Sequence, residues 1–71
     1  MLFEKLIIEH IRSTTNPITV TTGIAFGHKI LRINDYKFIE LDDSTVSVEA
    51  DKFMAKCTSW EQLEFIWKAV R

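Results

Sequence analysis

The sequence predicts an α+β domain: a small antiparallel sheet of three to four strands in a meander, flanked by an N-terminal and a C-terminal helix. Three observations carry this expectation. Apolar residues recur at three- and four-residue spacing near both ends of the chain, the middle alternates apolar with polar residues, and pairs of turn-forming residues punctuate that middle. No low-complexity or linker-like stretch divides the 71 residues, so residues 1–71 read as one domain.

In the first segment Leu2, Phe3, Leu6, Ile7 and Ile11 form one stripe of a helix, with Glu4, Lys5, Glu9 and Arg12 on the wet side and Ile8 off the stripe. Ser13-Thr14-Thr15-Asn16-Pro17 stops it, because proline pushes the preceding residue out of the α region. Ile18 to Thr22 alternates apolar residues with threonines and suits a half-buried strand ending at Gly23. Residues 24–27 have no clean period: they either continue the strand through a bulge or form a loop held by their apolar side chains.

Lys29–Ile33 and Tyr36–Leu41 flank Asn34-Asp35, residues that tolerate positive φ, and so read as a hairpin. A two-residue loop there sets Ile33 opposite Tyr36, Leu31 opposite Phe38 and Lys29 opposite Glu40, with Arg32 facing the like charge of Lys37 on the other side. Asp42-Asp43-Ser44 makes the next turn. Side-chain parity then puts Ile39, Leu41, Val46 and Val48 on one face, the expected heart of the core. Asp51 to Lys56 reads as a short helical turn capped by Asp51. The last helix is announced by capping spacing in Thr58/Glu61 and Ser59/Gln62 and by the stripe Trp60, Leu63, Ile66, Trp67 and Val70, with Phe65 turned away from it.

A chain of this length buries only roughly 60% of its unfolded surface, so its core is thin. Such domains lean on disulfides, metals, close packing or a second subunit. Cys57 is the only cysteine and cannot make an internal bridge, which leaves packing or a partner. The lone thiol and the absence of a charged-then-apolar leader pattern at Met1 point to the cytoplasm, and purely apolar runs of at most three residues are too short for a membrane span. Nine basic and ten acidic residues are spread without blocks, which is not the electrostatic footprint of a chain that grips phosphate backbones non-specifically.

Few residues could carry chemistry. His10 falls at the edge of the first helix's apolar stripe and reads as a core-edge side chain. Cys57 has Lys56 beside it, but no base oriented by a third group stands at a recognisable spacing, so it reads as an inert buried thiol. Glu40 and Asp42-Asp43 lack the alternating ligands and the glycine of a calcium loop, and Gly23 and Gly27 lack the companions of a phosphate loop. No catalytic residue, metal ligand or cofactor site is expected.

His28, after Gly27 at the mouth of a strand, together with the α-β-β-β-α order of elements, resembles the HicA toxin family, messenger-RNA-cleaving proteins on a double-stranded-RNA-binding-domain fold. That resemblance implies an RNA-directed function for His28; separately, Lys29, Arg32 and Lys37 on the central hairpin form a mildly basic patch, with Tyr36 nearby as a stacking ring, and the four charged or titratable residues make up the alternative nucleic-acid contact. The preferred expectation is different. The central hairpin puts Leu31, Ile33, Tyr36 and Phe38 on one side and Ile30, Ile39 and Leu41 on the other, so neither side is cleanly polar. Either the two helices lie on opposite faces, or a surface is left for contact. Phe65, Tyr36 and Ile30 are the candidate contact residues of a non-enzymatic protein-interaction module, a homodimer that also binds another protein. By analogy of size and fold it belongs with phage and mobile-element accessory proteins that inhibit or redirect host proteins.

Overall fold

The computed structural model describes residues 2–13 and 21–70. Helix α1 (Leu2–Ser13) is followed by strands β1 (Thr21–Ala25), β2 (His28–Ile33), β3 (Tyr36–Asp42), β4 (Thr45–Ala50) and β5 (Phe53–Cys57), and the chain closes on helix α2 (Trp60–Val70). The strands form one antiparallel sheet in the order β1-β2-β3-β4-β5. Each connection is a two-residue turn, at Phe26-Gly27, Asn34-Asp35, Asp43-Ser44 and Asp51-Lys52.

The α+β meander between two helices is therefore as expected, with five strands rather than three or four. The added strand is β5, where a helical turn was expected over Asp51–Lys56. Phe53-Met54-Ala55-Lys56-Cys57 has no β-branched residue, and Met, Ala and Lys favour helix. Pairing with β4 overrides that local preference, in a strand whose outward residues sit at the sheet edge. Of the strand expected at Ile18–Thr22, residues 18–20 lie outside the described residues. The strand itself runs on past Gly23 to Ala25, and Phe26-Gly27 is the turn.

The central hairpin has the expected register, Ile33 opposite Tyr36, Leu31 opposite Phe38 and Arg32 opposite Lys37. The next hairpin does not. Phe38 pairs with Val48 and Glu40 with Val46, while Ile39 pairs with Ser47, so Val46 and Val48 share a face with Phe38 and not with Ile39. The cause is a register shift between Glu40 and Asp42 that leaves Leu41 as an extra residue. One inserted residue reverses side-chain parity beyond it.

Both helices lie on one face. Phe3 and Leu6 of α1 and Leu63 and Trp67 of α2 close over Leu31, Ile33, Phe38, Val46, Val48 and Cys57, all buried. The helices run in the same direction: Lys5 Nζ stands 4.8 Å above the Trp60 ring, and further along both helices His10 meets Trp67 edge-on. Hydrogen bonds pin their ends to opposite rims of the sheet. The Leu2 amide donates to the Asp43 carbonyl (3.2 Å) in the β3–β4 turn, and Asn34 Nδ2 donates to the Val70 carbonyl (2.8 Å), one of the otherwise unpaired groups at the end of α2. At its start, Ser59 Oγ accepts from the Gln62 amide (3.4 Å), and Gln62 Oε1 accepts from the Thr58 amide (2.9 Å), one residue further back than a simple capping box reaches.

The deepest polar contact joins the two helices: Trp67 Nε1–H donates to His10 Nδ1 at 3.1 Å. Both residues are buried, so each needs the other's hydrogen bond in place of water. Trp67→Ala is expected to cost about 3–5 kcal/mol. His10→Leu keeps the apolar contact but removes the acceptor of this hydrogen bond, at about 1–3 kcal/mol. Urea denaturation followed by circular dichroism measures both, and a variant as stable as the parent would place its residue outside the core.

Candidate functional site

Because both helices share one face, the other face of the sheet has no described helix over it. Arg32 and Lys37 stand directly opposite each other there, Glu49 is next to Lys37 in β4, and Met54 follows in β5. Asp35 and Asp51 close the same open depression, which is lined by Arg32, Asp35, Lys37, Glu49, Ala50 and Asp51. Three carboxylates surround two cations, a poor arrangement for a phosphate backbone. The remaining nucleic-acid candidates are dispersed. Lys29 pairs with Ile24 and points to the helix side, and His28 is four residues along β2 from Arg32, about 13 Å away in an extended strand. Tyr36 is half-buried on the helix side, edge-to-face with Phe53 at 6.1 Å, and is not a stacking platform beside Arg32.

Of the three contact candidates, Phe65 projects into solvent from the middle of α2, 79% exposed. Tyr36 packs against the core, and Ile30 sits on the face away from the helices opposite Ile39, so the structure does not bring these three together.

The exposed apolar residues instead gather at the two sides of the domain. Among the described residues, Ile11 on α1 shares a groove with Ile24 of the first hairpin, whose tip carries Phe26, while Phe53 and Met54 lie on β5 and Phe65 on α2 beside it. On the first side an open groove of about 690 Å³ separates the α1 stripe Phe3, Ile7 and Ile11 from Thr22, Ile24 and Lys29. At its hairpin tip Phe26 is fully exposed (101%) with φ 54°, followed by Gly27 at φ 80°. Two positive φ values are the requirement of a tight type I′ turn, which Asn-Gly or Asp-Gly meets without strain. A bulky side chain there is an outlier costing roughly 1–2 kcal/mol. The missed signal was in the sequence: Phe-Gly between two β-rich runs occupies the place of a turn pair.

The remaining reactive groups are accounted for by the fold. The Asp42 carboxylate is held below its ordinary range chiefly because it accepts the Ser44 amide hydrogen bond (2.9 Å), which fastens the β3–β4 turn. Cys57 is 1% exposed, and burial pushes its thiol up, away from the thiolate that a nucleophile needs. No group of three His, Cys, Asp or Glu side chains among the described residues is arranged to hold a metal. No described helix is long and apolar enough to cross a membrane. Comparison with protein-family models, curated proteins and solved structures finds no match.

Cys57 gives a direct check on the core. In the native chain at neutral pH, alkylation by iodoacetamide should be much slower than in urea, where the thiol is exposed and its pKa ordinary. Equal rates in the two conditions would mean that the helices do not cover the thiol.

Proposed function

We propose that the chain is a non-enzymatic protein-interaction module that captures another protein with its first hairpin. The observation that carries this is Phe26, an apolar ring held fully in solvent on a backbone conformation that works against it. Such strain persists where something outside local stability favours the residue. An aromatic side chain that enters a desolvated pocket on a partner is a frequent energetic anchor. Ile24, 75% exposed and two residues before it, widens the same apolar tip. By occupying its partner's surface the chain would inhibit or redirect that protein, as small phage and mobile-element accessory proteins do.

Phe26→Asn separates binding from folding. Asparagine accepts left-handed φ, so the variant should be more stable than the parent by about 1 kcal/mol in urea denaturation. It should also lose the partner that the parent retains in a pull-down from the organism encoding it, read by mass spectrometry. A variant that retains the same partner at the same yield would sink the proposal.

A nucleic-acid-binding or RNA-cleaving regulator is the second reading, favoured by the direct opposition of the exposed Arg32 and Lys37 on the sheet face away from the helices. Their flanking carboxylates count against it. We expect no RNA or DNA binding beyond the weak non-specific range of about 10⁻⁴–10⁻⁶ M at physiological salt. Tight, salt-sensitive binding lost in the Arg32→Ala, Lys37→Ala double variant, measured by fluorescence anisotropy, would reverse the preference.

A further inference from the structure

The opposite edge of the sheet supports an inference that goes beyond partner capture by the first hairpin and stands or falls separately from it. Among the described residues β5 has a strand neighbour on one side only. Its other side therefore offers a row of backbone N–H and C=O groups, a template for a further strand. Three exposed apolar side chains, Phe53, Met54 and Phe65, collect around this edge. Between β5 and α2 lies an open shelf of about 550 Å³ lined by Ala55, Cys57, Gln62, Phe65 and Ile66 among others.

The geometry points to a second copy of this chain as the occupant, with two β5 strands pairing antiparallel about a two-fold axis through Ala55. Directly opposed residues of an antiparallel pair point to the same side of the sheet, so the axis must pass through a residue. Of the five residues of β5, only Ala55 as the axis pairs all five. Met54 then faces the partner's Lys56, Phe53 faces the partner's Cys57, and Ala55 faces its own copy.

The chemistry on both faces fits that register. Lysine on an edge strand ordinarily deters pairing, and an axis through Lys56 would set two ammonium groups opposite each other. With the axis at Ala55, the partner's Lys56 instead lays its aliphatic stem along Met54, 72% exposed, and points its charge toward Glu49, the next residue in that row. The symmetry makes this complementary pair twice. On the helix side Phe53 of each copy arrives beside Cys57 of the other, which is where the shelf lies. Alanine at the axis leaves space above the strands for Phe65 of both copies, each from the centre of its α2. A two-fold interface requires knob and hole on one patch, and Phe53 and the shelf meet that requirement.

Sedimentation equilibrium should show a monomer–dimer equilibrium whose dissociation constant rises at least about 30-fold in Phe65→Ser, with circular dichroism unchanged. Phe26→Asn should leave it unaltered, which separates this surface from the partner-binding one. Should Phe65→Ser unfold, the register still decides. In a Cys57→Ala background, oxidation should link two chains through Ala55→Cys, because directly opposed residues bring Cα atoms to about 4.5–5.5 Å. Met54→Cys, offset from its own copy by two residues on each strand, should not link. A monomer at every concentration overturns the proposal, as does a dimer that links through Met54→Cys and not through Ala55→Cys.

Discussion

Two helices of 12 and 11 residues are all the described helical structure that this chain has with which to cover a five-stranded sheet. They cover one face. The choice is enforced by sharing: α1 and α2 press on each other as well as on the strands, and the Trp67–His10 hydrogen bond can form only when both lie side by side on the same face. Placing them on opposite faces would split one thin core into two thinner ones and leave a buried indole N–H without its partner. Side-by-side packing leaves the other face without a described helix and exposes apolar surface at the margins that the helices do not reach.

The face away from the helices shows how the sequence adapts to that outcome. Arg32, Lys37, Glu49 and Lys56 alternate there with the core residues of the same strands. Ile30 and Ile39, opposite each other, are half-buried, and Ser47, which follows Ile39 in the same row, is buried. Read along the chain, Ile30, Ile39 and Leu41 look like a second apolar face. The bulge at Leu41 removes that appearance, because it separates Leu41 from the alternation and transfers Val46 and Val48 to the side of Phe38.

What the sequence made legible were features with local causes: two amphipathic stripes, the Asn34-Asp35 hairpin and its register, the cap at Ser59, and the outward Phe65. What it hid depended on distant partners. β5 is composed of residues that suit a helix and becomes a strand because β4 offers an edge. The β3–β4 register turns on one extra residue that parity counting cannot detect. Tyr36 and Ile30 were grouped with Phe65 because all three are apolar, yet Tyr36 packs on Phe53 and Ile30 lies on the face away from the helices. Phe26 is a mixed case: Phe-Gly between two β-rich runs marks a turn in the sequence, but the positive φ at phenylalanine is a property of the turn once placed.

Helix α2 ties stability to association. One of its faces carries Leu63 and Trp67 into the core, and another carries Phe65 into solvent. With so little apolar surface buried, the domain's stability is a small difference between large terms, and the docking of this helix is a major part of it. A molecule that binds over Phe65 and the β5 edge can bind only when α2 is seated, since the shelf is formed jointly by Gln62, Phe65 and Ile66 of the helix and Ala55 and Cys57 of the strand. Binding there adds its free energy to the fold by mass action, and unseating the helix abolishes the surface. At the other edge the strain at Phe26 draws on the stability of the free chain. Association at β5 as proposed would return to the fold some of the margin that the strained hairpin consumes.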